Sequence, residues 1–127
     1  MHYGYLFAGG YTEKITLGSG ETVQGRCEGV YVFRLEADGS LKRVGVCEAR
    51  PNPTYLAKSP DGKGIYTVNE VNNYKGLGSA AVSAYAFDPE RGELKLLNRR
   101  ATGGEDACFI ITDPEGRFLF TANYSGG

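Results

Sequence analysis

Two stretches of this chain repeat each other. Residues Asn52–Asn69 lie over Asp106–Asn123 at a constant offset of 54 without a gap. Pro60/Pro114, Gly62/Gly116, Thr67/Thr121 and Asn69/Asn123 are identical, and Asp61/Glu115, Lys63/Arg117 and Ile65/Leu119 keep their chemistry. A second pair, Val30–Leu41 over Val82–Leu94, aligns at offset 52 and then at 53 after one inserted residue. Each copy reads as strand, acidic turn, strand. A unit of this kind cannot bury its apolar face alone, so neighbouring copies stack and the fold follows from the period.

The strands carry period-2 alternation, as in Val30, Val32 and Arg34 against Tyr31, Phe33 and Leu35, and no comparable stretch offers a 3.6-residue apolar face. The turns have their own chemistry. In Ser59-Pro60-Asp61-Gly62 and Asp113-Pro114-Glu115-Gly116 proline presets φ and glycine accepts the closing conformation, while Asp38-Gly39 and Arg91-Gly92 reverse the next pairs. Glycine is 19 of 127 residues, about double the usual share of roughly 7%, which suits many tight turns between short strands. Nine strands are predicted, near 3–10, 29–36, 41–49, 54–59, 64–69, 80–88, 93–101, 107–113 and 118–123.

Four strands per unit at a spacing of about 50 residues is the signature of β-propeller blades. The fold class is therefore all-β, in blades of four antiparallel strands. Naming the strands of a blade a to d from the channel outward, residues 1–50 give b-c-d, 51–103 a complete a-b-c-d, and 104–127 a-b. That is about two and a quarter blades.

Composition excludes several classes. Lys+Arg 14 against Asp+Glu 15 gives a net charge of −1, spread along the chain, so neither nucleic acid nor an anionic membrane is expected as a partner. The N-terminal residues lack a basic region followed by an apolar run, which argues against a signal peptide or membrane span. Cys27, Cys47 and Cys108 are odd in number, far apart and without metal-ligand spacing, so neither a disulfide framework nor a zinc site is expected, and with no phosphate-loop, paired-histidine or calcium-loop pattern in the chain no cofactor is expected. The three thiols are expected to be buried, and the compartment to be the reducing cytoplasm. Gly76-Leu77-Gly78-Ser79-Ala80-Ala81 fits a relaxed dinucleotide pattern, but a strand follows it where that motif needs a helix N-terminus. It reads as a hairpin loop.

Several stretches resemble the seven-bladed propeller lactonases, among them bacterial 6-phosphogluconolactonases and fungal carboxymuconate-cyclising enzymes. They are Phe7-Ala8-Gly9-Gly10-Tyr11-Thr12, Asn52-Pro53-Thr54-Tyr55-Leu56, Pro60-Asp61-Gly62, Tyr66-Thr67-Val68-Asn69-Glu70, Val82–Asp88, and Asp113–Gly127. The resemblance implies a sugar lactone hydrolase without a metal, of which this chain is similar to the N-terminal third. It also implies a histidine after the cysteine at the start of the third blade, where this sequence has Cys108-Phe109. Family arginines and acidic residues of the central channel are expected beyond residue 127, so the chain alone is expected to be inactive, or to serve as a non-catalytic binding or assembly module. Its partners are then a sugar lactone once the ring is completed, and either the C-terminal portion or further copies of itself.

Strands a and b of a blade are antiparallel, so the start of a lies beside the end of b. This puts Asn52 and Thr54 near Asn69 and Glu70, and Asp106 and Cys108 near Asn123 and Tyr124, with Tyr11 at the matching place after strand b of the first blade. Lactone hydrolysis needs a base for water and donors toward the developing oxyanion. Glu70, the carboxylate directly at a strand-b end, is the candidate base or hydroxyl acceptor, although a glutamate there also serves as a solvated turn. Asn52, Asn69, Tyr11, Asp106, Asn123 and Tyr124 are candidate substrate contacts, with Asn69 and Asn123 equally placed to satisfy strand-end backbone and Tyr11 and Tyr124 to pack. Arg26 and Arg50 are placed to meet a phosphate or solvent, and His2, the sole histidine, is assigned no role.

Overall fold

The computed structural model describes residues 2–127, and the side chains from Gly4 onward; the expectation for His2 falls outside the described side chains. Among the described residues eleven strands run in chain order: β1 (His2–Ala8), β2 (Lys14–Thr16), β3 (Thr22–Gln24), β4 (Val30–Glu36), β5 (Leu41–Cys47), β6 (Leu56–Lys58), β7 (Gly64–Asn69), β8 (Ala81–Asp88), β9 (Glu93–Ala101), β10 (Ala107–Thr112) and β11 (Leu119–Asn123). They form a three-stranded sheet β1-β4-β5, a four-stranded sheet β6-β7-β8-β9, a pair β10-β11 and a small hairpin β2-β3. All pairings are antiparallel. The sheets are short antiparallel meanders, the first interrupted between β1 and β4 by the β2-β3 hairpin, consistent with a partial propeller.

The turns close as their sequences dictate. Gly62 N–H donates to the Ser59 carbonyl (2.9 Å) and Gly116 N–H to the Asp113 carbonyl (3.0 Å), both glycines at positive φ of 73° and 70°. The 3-10 turn Tyr74–Gly76 ends where the Gly76–Ala81 motif begins, and β8 starts at Ala81, so the motif offers no helix N-terminus to a dinucleotide.

Apolar faces meet between sheets. Val30, Ala49 and Tyr85 are buried with Phe7, Cys47, Leu56 and Leu94 packed on them, which joins the first sheet to the second. Phe87 adds edge-on ring contacts to Tyr5 and Phe7 at centroid distances of 4.9 and 5.0 Å, geometry that aromatic quadrupoles favour. Val68, Ala80, Ala107 and Ile110 join the second sheet to the third. Among the described residues β11 pairs with β10 alone, and Phe118, Leu119 and Phe120 beside this edge are exposed.

Two expectations are corrected. The hairpin β2-β3 lies in a stretch where no strand was predicted. Cys108 is exposed, whereas Cys27 and Cys47 are partly buried; in β10 it is Ala107 and Ile110 that turn into the core, leaving Cys108 near the strand's open end.

One glycine lets the start of β4 lie against the end of β5. Gly29 sits at φ +155°, and a Cβ there would lie 1.9 Å from the Cys47 carbonyl oxygen and 2.9 Å from the Ala49 nitrogen, all backbone atoms. That carbonyl also accepts the Ala49 N–H at 2.8 Å. Gly29→Ala is expected to lower the unfolding free energy by about 3 kcal/mol or more, read as the shift in urea midpoint. Gly39→Ala, at φ +84° with open space around it, is expected to cost about 1–2 kcal/mol from backbone strain alone.

Candidate active site

The polar cleft is built at the ends of the second strands. Glu70 and Tyr124 directly follow β7 and β11, at the same position of two repeats, and Tyr11 lies three residues past the end of β1. Asn52 and Asp106, related by the repeat, precede β6 and β10 at positive φ of 42° and 55°, a conformation that asparagine and aspartate tolerate better than other side-chain-bearing residues. Their carbonyls accept the backbone N–H groups of Glu70 (3.0 Å) and Tyr124 (2.9 Å). The same local fold therefore presents the residue after each strand toward one cleft of about 550 Å³, lined by Tyr11, Asn52, Glu70, Asp106 and Tyr124 together with Glu13, the start of the β2-β3 hairpin, Val71, Asn72 and Ser125.

Glu70 is held at both carboxylate oxygens. Tyr11 Oη donates to Oε1 at 2.7 Å and Thr54 Oγ1 donates to Oε2 at 2.5 Å. Its backbone is fixed as well, because Asn52 Nδ2 donates to the Glu70 carbonyl at 2.9 Å. Burial, the hydrogen bond to Glu70, and the negative charge of Glu70, Asp106 and Cys108 push the Tyr11 phenol up to about 12. Near neutrality Tyr11 is a hydrogen-bond donor. The raised value favours the folded state fully below the ordinary phenol value of 10.0, and that contribution is lost as pH climbs through about 12.

Asn52 ties this site to the first sheet. Its Oδ1 accepts the backbone N–H of Thr12 at 3.0 Å and of Glu13 at 2.9 Å, and its own N–H donates to Thr12 Oγ1 at 2.9 Å. Arg50 turns to Glu13, 2.8 Å from its carboxylate, rather than standing free for a phosphate. Arg26 borders a separate hollow outside β2-β3.

Asn69 and Asn123 do not line the cleft. Asn69 is fully buried; its Nδ2 donates to the Pro51 carbonyl at 2.7 Å, and its Oδ1 accepts from Ser83 Oγ at 2.6 Å. It stitches the end of β7 to the incoming chain and to β8. Asn123 lies against Gly104, where a Cβ would come within 2.5 Å of its Nδ2, and its buried Oδ1 has no partner among the described residues. Phe109 packs on Tyr55 with centroids 5.0 Å apart, outside the cleft.

The hairpin was the part of the site missed from sequence. Its signal is present: Lys14-Ile15-Thr16 and Thr22-Val23-Gln24 are short β-branched alternations around a Gly18-Ser19-Gly20 turn, which is hairpin chemistry. Among the described residues no group of three or more His, Cys, Asp or Glu side chains is placed to hold a metal ion.

Residues 5–127 match the model of the family described as lactonase, 7-bladed β-propeller. The chain belongs to this lactonase family. It is 30% identical over 109 residues to the 6-phosphogluconolactonase of Bacillus subtilis, a match covering 85% of this chain and 30% of that relative. Among solved structures, a candidate 6-phosphogluconolactonase of Bacteroides fragilis is 39% identical with a TM-score of 0.77, over 96% of this chain and 30% of that one. The periplasmic gluconolactonase of Pseudomonas aeruginosa is 32% identical with a TM-score of 0.76, over 98% and 32%. The chain thus spans about a third of the length of the lactonases it resembles. No helix among the described residues is long and apolar enough to cross a membrane.

Proposed function

We propose that the cleft is the N-terminal part of a sugar lactone hydrolase site of the 6-phosphogluconolactonase type, with Glu70 as its base. The observation that carries this reading is the Glu70 carboxylate, held by two hydroxyl donors at the rim of the polar cleft. In that role Glu70 takes a proton from water as the water oxygen attacks the lactone carbonyl. The ring C–O bond then breaks, and the departing alkoxide takes up a proton to give the hydroxy acid. Asp106 and Tyr124 face the substrate hydroxyls, Asn52 holds the backbone of the cleft wall, and Tyr11 gives its hydroxyl to Glu70. Asn69 and Asn123 support the site from behind its walls.

Within this reading residues 1–50 are the first blade without its inner strand, 51–103 the second blade and 104–127 the first two strands of the third. Lys14 is the one cation among the residues lining the cleft, against Glu13, Glu70 and Asp106, and Glu13 is matched by Arg50. This part of the ring therefore suits the hydroxyl-bearing portion of a substrate, and a phosphate calls for cations from other blades. The three free cysteines support a cytoplasmic setting. A second reading, a non-catalytic binding or assembly module, draws on Phe109, which packs on Tyr55 away from the cleft; its partner is the C-terminal portion of the ring or another copy of the chain.

The test is hydrolysis of 6-phosphogluconolactone by the chain alone and with the remaining blades supplied by the Bacillus subtilis relative. The chain alone is expected to stay at background, and the completed ring to turn over. A completed ring that folds and stays inactive supports the assembly module instead.

A further inference from the structure

Glu70 is contacted by two hydroxyl groups that come from different sheets. Thr54 belongs to the chain entering β6, in Glu70's own sheet, while Tyr11 leaves β1 of the preceding one. Each hydroxyl takes a different carboxylate oxygen, Tyr11 Oε1 and Thr54 Oε2. Each oxygen thus keeps acceptor capacity beyond its hydroxyl donor. Tyr11 is itself anchored, its carbonyl accepting the Cys27 N–H at 3.0 Å, and Thr54 N–H donates to the Asn52 carbonyl at 2.9 Å.

The next repeat lacks this arrangement. Its counterparts of Thr54 and Glu70 are Cys108 and Tyr124; Cys108 Sγ contacts the Ala122 carbonyl instead, and the Tyr124 side chain is 84% exposed. A purely architectural link at each strand end would need no carboxylate at one end only.

Resting on the reading of Glu70 as base, we infer that Tyr11 and Thr54 are positioning residues, fixing the Glu70 carboxylate from the two sheets so that its unshared lone pairs meet the water that attacks the lactone. Neither touches the reacting atoms; both act through Glu70. A carboxylate freed from one hydroxyl samples more orientations and meets its proton less often in line, which lowers turnover and leaves substrate binding nearly unchanged.

The test combines two measurements. In the 127-residue chain with isotopically labelled tyrosine, Tyr11 is identified by the resonance missing from Tyr11→Phe, and its phenol is expected to titrate near 12. In Glu70→Gln it is expected to fall below that value without reaching an ordinary tyrosine's, because the hydrogen bond and charge are changed while burial remains. In the ring completed as above, Tyr11→Phe and Thr54→Val are each expected to lower kcat about tenfold with KM changed less than about twofold, and Thr54→Ser to restore it.

A Tyr11 phenol titrating at its ordinary value overturns the inference. So do Tyr11→Phe and Thr54→Val variants that lose only thermal stability and keep kcat while Glu70→Gln is inactive; in that case the reading of Glu70 stands and the positioning roles fall. A fully active Glu70→Gln removes the base and the positioning roles together.

Discussion

Asn52→Ala is expected to lower the unfolding free energy by about 4 kcal/mol, a large part of the 5–15 kcal/mol typical of a domain. The side chain is nearly fully buried and serves three backbone groups, the N–H of Thr12, the N–H of Glu13 and the carbonyl of Glu70. Alanine leaves all three without that partner, at roughly 1 kcal/mol or more each, and adds about 1–2 kcal/mol because φ is +42°. Two further variants separate these terms. Asn52→Gly relieves the backbone while leaving the polar groups bare, and is expected to recover only the strain. Asn52→Asp keeps the acceptor for Thr12 and Glu13, loses the donor to Glu70, and should fall between wild type and alanine. Urea unfolding followed by circular dichroism reads all three. A loss under about 1 kcal/mol in Asn52→Ala would mean that water replaces the side chain at this junction.

Most of the architecture was legible because repeats and turns are local signals. Pro60, Gly62, Pro114 and Gly116 fix the reversals, and the offset of 54 transfers the strands on either side of one turn to the other. The adjacency of Asn52 with Glu70, and of Asp106 with Tyr124, followed from antiparallel pairing alone. What the sequence concealed was direction. Asn69 and Asn52 are both polar residues at strand ends, yet Asn69 is the last residue of β7, where its side chain turns toward Ser83 and the incoming chain. Asn52 lies in a left-handed turn, which leaves it on the cleft wall. Cys108 looked like an inward apolar residue because it sits in an apolar run, but the β10-β11 register shifts between Ala107 and Phe109, and Ala107 takes the buried place. The hairpin β2-β3 is only three residues on each side, too short for periodicity to stand out between two glycine-rich stretches. The pair Tyr11–Glu70 spans 59 positions and joins two sheets, so only the assembled junction reveals it.

The proposed role of Glu70 as base is tested most directly by the rate of 6-phosphogluconolactone hydrolysis by Glu70→Gln in the completed ring. Glutamine keeps the shape of the side chain. Its carbonyl still accepts from Tyr11, and its amide donates to the Thr54 hydroxyl, which both donates and accepts. Stability is therefore expected to stay within about 1 kcal/mol of wild type. The amide cannot take a proton from water at working pH, and the loss of a general base typically costs about 10²- to 10⁴-fold in rate. A drop of that size in kcat, with the urea midpoint unchanged, is the predicted result. A variant that folds normally and hydrolyses the lactone within about threefold of wild type, well short of the loss a general base entails, would contradict it and leave Glu70 a structural acceptor for Tyr11 and Thr54.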